Sequence, residues 1–340
     1  MTGSEIRALA RACGFELAGI ARAEPAEDRA RYGEWVAAGR AGGMRYLTDR
    51  RAAVRDDPRR LLPSARSVLC VGKVYHTPWP HSVHFADPQR AWISRYAWGA
   101  DYHDEMRRGL ARLAAMLRER LGADLQSRIC VDTAPLLERS YARLAGLGWI
   151  GKNTCLIHQG LGSWIFLGEL LVSVEIEADA PPPDRCGTCT RCIDACPTAA
   201  LPAPYTLDAR RCISYFTIEL RGAWPEEHRA EAGAHVFGCD ICQDVCPWNG
   251  RAAVTDDPAF APRQFAPRLD ELAKLTPGAF REMFAGTPLT RAGYTGFLRN
   301  VAIAMGNSGL GRFREPLERL AQSVDETVAE AARWALERLA

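Results

Sequence analysis

The sequence predicts an α+β fold built from three consecutive parts. Three observations predict it. Helix and strand signals alternate over the first half, a dense cysteine run follows a proline-rich break, and short helical periods fill the C-terminal end. A chain of 340 residues suffices for about two domains, and 47% hydrophobic with 25% charged residues is ordinary globular composition. The formal charge is +2, so the chain is not basic throughout and any nucleic-acid contact must come from a local patch.

The first part runs over residues 1–180. Thr2-x-x-Glu5 matches a capping box, with Ile6, Leu9, Ala10 and Cys13 on one helical face and Gly14 as the stop. Residues 15–21 and 68–75 are expected as strands, the second one buried. Asp101 can cap a helix to Leu121, with Met106, Leu110, Leu113 and Leu117 on one face and Gly122 at its end. A strand at 129–131, a helix at 135–145 closed by Gly146 and a largely buried strand at 164–177 complete this part. The opening residues carry no apolar signal core. The longest apolar stretch, 164–176, is too short for a membrane span and contains Glu169. A cytoplasmic chain without membrane association is expected.

Ala180-Pro-Pro-Pro-Asp184 is a stiff linker into the second part, 181–250. There Cys186, Cys189, Cys192 and Cys196, followed by Pro197, have the C-x2-C-x2-C-x3-C-P spacing of two-cluster bacterial ferredoxins, in which the fourth thiolate serves the other cluster. Cys239, Cys242 and Cys246, followed by Pro247, repeat the x2, x3 spacing, and Cys212 stands in for the missing leading cysteine. The predicted assignment is therefore crossed. Cys186, Cys189, Cys192 and Cys246 hold one cluster; Cys212, Cys239, Cys242 and Cys196 hold the other. Zinc sites and disulfide scaffolds also use dense cysteines, but neither accounts for the proline-terminated run. Cys13, Cys70, Cys130 and Cys155 are expected as small core residues.

The third part, 251–340, is helical. Segments 278–285, 295–306, 313–323 and 326–339 carry apolar faces between Gly or Pro turns, as paired helices of the HEAT type do. Residues 261–314 hold eight basic side chains against three acidic ones. Tyr294 and Phe297 lie among these arginines, where an aromatic ring could stack on an unpaired base.

Clusters move electrons, so an acceptor site is needed. No dinucleotide fingerprint, phosphate-binding glycine loop or D-x-H-x-x-G cobalt-ligand motif is present: Asp101-Tyr-His103-Asp-Glu-Met106 lacks the glycine. His103 is expected as a polar surface or packing residue. Asp132 stands at a predicted strand end, where catalytic side chains collect, but the pattern alone favours an N-cap. The glycine-rich stretch 146–164, with Lys152 and Asn153, reads either as backbone shaped for a large ligand or as a connection.

Taken together, ISRYAWGADYH (93–103), VDTAP (131–135), GLGWIGKNT (146–154), GSWIFLGELL (162–171), CGTCTRCIDACPTAAL (186–201), CISYFTIE (212–219) and FGCDICQDVCPWN (237–249) resemble the epoxyqueuosine reductase family over nearly the whole chain. The resemblance implies cobalamin and two 4Fe-4S clusters as cofactors. It also implies removal of the epoxide oxygen of epoxyqueuosine at a tRNA wobble position. The implied architecture is a nitroreductase-like cobalamin domain, a ferredoxin-like module and a HEAT-like helical part.

By position, Asp132 matches the family's proton donor, and its pKa would have to be raised by burial for it to act as an acid near neutral pH. Arg55 matches a cobalamin-contacting arginine, and Lys152 and Asn153 lie in the cofactor-side loop. Ser214, Gln243 and Asp244 neighbour the second cluster on the corrin side. Trp98 falls where some members place a cysteine above the cobalt; it cannot ligate metal but could stack on a flat ring. Arg281, Arg291 and Arg299 are the expected tRNA contacts. The implied partners are a tRNA with a queuosine-type anticodon and an external electron donor such as a flavodoxin or ferredoxin, with the chain a monomer. Two rival readings share the clusters: a cobalamin-dependent reductive dehalogenase, which lacks a basic helical tail, and a non-catalytic electron carrier, which has no need of the first part.

Overall fold

The structure is a computed structural model and describes residues 1–339. Its centre is a four-stranded antiparallel sheet made of β1 (Leu17–Arg22), β2 (Ser67–Val74), β3 (Ser127–Cys130) and β4 (Ile165–Val172), in the order β1-β2-β4-β3. Successive side chains of a strand leave opposite faces. Leu69, Val71, Leu170 and Val172 therefore enter one core and Val68, Cys70 and Leu171 another. Both faces are covered, which is why β2 and β4 read as unbroken apolar runs.

The first core is closed by the helices Gly3–Ala12 and Tyr102–Leu121. The Thr2–Glu5 capping box forms as expected, and Asp101 caps the longer helix by accepting the His103 amide. Met106, Leu110, Leu113 and Leu117 are fully buried on its inner face. On the second face lies the helix Glu138–Leu144, with Tyr141 and Ala142 in the core. It starts three residues after the expected Pro135, because residues 132–137 form a loop whose first residue, Asp132, has φ +45°. The strand expected at 164–177 is confined to Ile165–Val172.

Two short strands, Trp92–Ile93 and His235–Phe237, pair in parallel and tie the first part to the cysteine segment. Around them grows the largest core, which also takes in Phe216, Trp224 and the helices Pro277–Met283, Gly293–Asn307, Arg314–Leu320 and Glu326–Arg338. These helices match the expected ones within a few residues. Their core does not stop at residue 251, so a linear boundary there is not a packing boundary. No helix among the described residues is long and apolar enough to cross a membrane.

Candidate functional site

A cavity of about 580 Å³ opens at one end of the sheet, where β2 and β3 finish and β4 begins. Its walls come from three places. Tyr32, Trp35, Tyr46 and Arg55 belong to a segment of short helices; Tyr75, Tyr96, Tyr102 and Phe166 belong to the sheet region; Asp132, Glu138, Arg139 and Thr154 follow β3. Flat aromatic walls suit a large planar ligand. Arg55 is 5% exposed, and its guanidinium donates to the carbonyls of Tyr46 and Arg51, at 3.0 and 3.1 Å, and reaches the Tyr32 hydroxyl. Among the described residues it forms no ion pair. A buried cation without a counter-ion on a cavity wall is built for a polar or anionic group of a ligand.

Asp132 faces this cavity. Its Oδ2 lies 3.1 Å from His103 Nε2, and His103 Nδ1 lies 2.7 Å from Asp101 Oδ1. Burial pulls the His103 pKa down, but the hydrogen bonds and charges of Asp101 and Asp132 outweigh it and raise it to about 9. For Asp132, burial pushes upward. The His103 hydrogen bond and charge, the Arg291 charge and the Tyr102 hydroxyl win, and its carboxyl is held below the ordinary value. The expected rise is thus reversed: at neutral pH the proton sits on His103 and Asp132 is its anionic partner. His103 is correspondingly not a mere surface or packing residue. Its ring stacks on Tyr102, with centroids 4.1 Å apart.

The cysteines gather as two sets. Cys186, Cys189, Cys192 and Cys246 share the wall of one void of about 250 Å³, with Lys152, Asn153 and Trp248. Cys196 is not on that wall. Burial raises the Cys246 thiol to about 11, with Cys186 and Cys192 adding to it. In the other set, burial pushes Cys239 far up, followed by Cys212 and Cys196. Cys242 is raised first by its hydrogen bond with Cys155, then by burial, Cys239 and Cys212. Thiols in such positions hold their protons unless a cation replaces them, which is what cluster iron does. Among the described residues no three His, Cys, Asp or Glu converge on a point as a single ion requires. The first set surrounds a void, with four thiols on its wall.

Several predicted site residues are placed differently. Trp98 is buried away from the cavity; its indole N–H donates to the Ile93 carbonyl at 2.7 Å, and its ring packs against Trp92, Phe265 and the Arg95 guanidinium. Lys152 donates to the Gly187 and Cys189 carbonyls at 2.7 and 3.0 Å, and Asn153 to the Cys242 carbonyl at 3.2 Å, so both brace the cysteine loops. Ser214 sits in the first turn after Cys212, its backbone N–H directed to that thiol. Gln243 donates to Ser163 and reaches Tyr75 on the cavity wall. Asp244 faces away from the cavity, accepting from the Ser82 amide and hydroxyl. Cys155 is not simply core: it meets Cys242, and its neighbour Thr154 lines the cavity.

Of the three arginines expected on tRNA, Arg281 is exposed. Arg291 is half exposed, pairs with Glu219 at 2.5 Å and lies over the Tyr46 ring at the cavity mouth. Arg299 is 1% exposed and donates to the carbonyls of Phe216, Leu220 and Gly222, so it is a structural residue. Phe297 is fully buried and the Tyr294 hydroxyl donates to the Leu275 carbonyl, so neither ring is free to stack on a base. The functional residues that motif spacing does not reveal are in segment 29–60, which has nine arginines against four acids and supplies a whole cavity wall. That charge excess is the signal the sequence offers for them.

The family model described as "Epoxyqueuosine reductase QueG, DUF1730" matches residues 55–133, and "4Fe-4S double cluster binding domain" matches residues 185–249. The chain is 43% identical over 340 residues to an epoxyqueuosine reductase of Xanthomonas campestris pv. campestris, covering 98% of this chain and 95% of that protein. It is 40% identical to that of Escherichia coli over 301 residues, covering 87% and 78%. Among solved structures, one of epoxyqueuosine reductase with an epoxyqueuosine-modified tRNA-Tyr stem loop superposes with TM-score 0.92 at 29% identity, covering 99% of this chain and 89% of that one. A Bacillus subtilis epoxyqueuosine reductase, solved with its catalytic aspartate loop swung out of the active site, gives 0.84 at 27%, covering 99% and 98%.

Proposed function

The chain belongs to the epoxyqueuosine reductase family, and on that premise we propose that the aromatic cavity is where cobalamin and the modified tRNA base meet. The reaction is the reduction of epoxyqueuosine in tRNA to queuosine, with cobalamin and two 4Fe-4S clusters as cofactors. Converting an epoxide to an alkene consumes two electrons and two protons and releases water. Bound cobalamin supplies a strongly reducing cobalt centre, and the clusters supply its electrons one at a time. In this reading Cys186, Cys189, Cys192 and Cys246 hold one cluster, and Cys196, Cys212, Cys239 and Cys242 the other.

Arg55 and the aromatic walls hold the corrin and exclude water from it. Lys152 and Asn153 fix the cysteine loops by their carbonyls. His103 holds a proton at neutral pH, and Asp132, its anionic partner at 3.1 Å, relays that proton to the epoxide oxygen as the carbon–oxygen bond breaks; the second proton, which carries the oxygen away as water, comes from solvent. The observation that carries this reading is the Asp101–His103–Asp132 chain, which ends in a cavity whose wall residue Thr154 adjoins Cys155, the partner of Cys242. The Bacillus subtilis relative's catalytic aspartate loop supports giving Asp132 that role.

The same reading takes the antiparallel sheet with its covering helices as nitroreductase-like, and the four C-terminal helices as HEAT-like. It makes the protein a cytoplasmic monomer served by a flavodoxin- or ferredoxin-type donor. The test is anaerobic reconstitution followed by mass analysis of the anticodon nucleoside. The native chain is expected to remove one oxygen. Asp132→Asn is expected to keep corrin and cluster absorption and lose turnover by about a hundredfold or more. Full turnover in that variant removes Asp132 from the chemistry.

A further inference from the structure

Glu169 lies in the middle of the sheet, with Cys70 of β2 and Cys130 of β3 as its neighbours in register. It is fully buried, and neither carboxyl oxygen meets a hydrogen-bond donor. The polar group it does meet is another carboxyl, that of Glu138 at the start of the helix packed on this face. Glu138 in turn accepts the backbone N–H of Asp132 through Oε1. That bond sits at a residue with φ +45°, a conformation a non-glycine residue rarely holds without local support.

Two carboxylates that meet, one of them fully buried and the other half-buried, are not both ionised, whereas one proton between them gives each a partner. We propose that Glu138 and Glu169 share a single proton and act as positioning residues that hold the Asp132 loop against the cavity. This rests on the reading that Asp132 meets the epoxide oxygen.

The surroundings agree. Burial, and then each other's charge for Glu169 and the Asp132 charge for Glu138, push both carboxyls up. Cys70 and Cys130 face the pair from the neighbouring strands, and Tyr102 faces it from the opposite helix. Arg139 is the cation acting on Glu138, but its guanidinium is bonded to the Thr154 carbonyl and hydroxyl. His103 and Arg291 act on Asp132 itself. Among the described residues no Lys, Arg or His forms an ion pair with either glutamate. The sign follows: a carboxyl raised by folding is held best at low pH. Loss of the shared proton as pH rises puts a second negative charge under the Asp132 loop and loosens it.

Hydrogen exchange of peptides spanning residues 130–137, in the reconstituted chain, reads the latch directly. Glu138→Ala is expected to lower protection there by at least about tenfold and to lower turnover by a similar factor, with corrin and cluster absorption unchanged. Glu138→Gln keeps an acceptor for the Asp132 amide and is expected to recover part of both. Glu169→Gln carries a permanent donor in place of the shared proton, so protection is expected to persist to higher pH than in the native chain. Native protection in Glu138→Ala, or an unshifted pH dependence in Glu169→Gln, overturns the proposal. Exchange separates this failure from that of the Asp132 reading: a fully active Asp132→Asn would sink the latter while leaving the latch intact.

Discussion

At the scale of single residues, the proposed mechanism divides the work between a group that stores a proton, His103, and a group that delivers it, Asp132. His103 is stabilised as the cation between Asp101 and Asp132, with its pKa raised to about 9 from 6.5. The sign is that of a base gaining acidic partners. The stabilisation is complete below about pH 6.5 and is lost as pH rises through about 9. On the proposed mechanism, proton supply is therefore full at neutral pH and fails on the alkaline side. His103→Gln keeps a polar contact with Asp132 but carries no titrating proton. It is expected to lower single-turnover rates by roughly a hundredfold and to abolish the alkaline fall centred near 9. A His103→Gln protein that keeps both the rate and the alkaline fall shows that the proton comes from elsewhere. Asp132 stands out of VDTAP in the sequence, but its low pKa does not, because His103 is 29 residues away and Arg291 belongs to another core.

At the scale of elements, what is legible in the sequence is whatever is encoded locally. The Thr2 and Asp101 caps, the stop at Gly14 and the cysteine spacing each depend on a few neighbouring residues, and each is found where expected. Segment 29–54 gives no such signal, because its helices Arg29–Ala37, Arg45–Thr48 and Arg50–Val54 bury no residue completely and so show no apolar stripe. Their aromatic side chains face the cavity instead of a core. Arg299 departs from expectation for the complementary reason. A lone arginine on a helix counts as surface, yet the carbonyls of Phe216, Leu220 and Gly222, which no periodicity reveals, draw it inside. The helices Gly293–Asn307 and Glu326–Arg338 meet so closely at Gly306 that an added Cβ would stand 2.7 Å from that of Ala335. Gly306→Val is expected to force them apart at about 1–3 kcal/mol, measured as a lowered urea midpoint. An unchanged midpoint would mean that the two helices separate there without strain.

At the scale of the whole molecule, function depends on order in space: one thiol set on the Lys152 void, the second against Cys155, then the cavity, then a basic mouth. A net charge of +2 hides this mouth, because the strong positive excesses of residues 29–60 and 261–314 are offset by acidic stretches elsewhere in the chain. Arg291 joins the two segments by lying over Tyr46, but its charge is already engaged by Glu219. Arg45, beside Tyr46, and Arg281 are exposed and form no side-chain hydrogen bond or ion pair among the described residues. Phosphates of an anticodon arm would therefore be met by these free guanidinia rather than by Arg299. Replacing Arg45 and Arg281 together with Gln is expected to weaken tRNA binding at low salt and to flatten the dependence of log K on log salt by about 0.7 for each phosphate no longer neutralised. The rate of cluster reduction by dithionite should not change, since both residues lie outside the cysteine segment. A salt dependence identical to that of the native chain would move the tRNA interface to another face of the molecule.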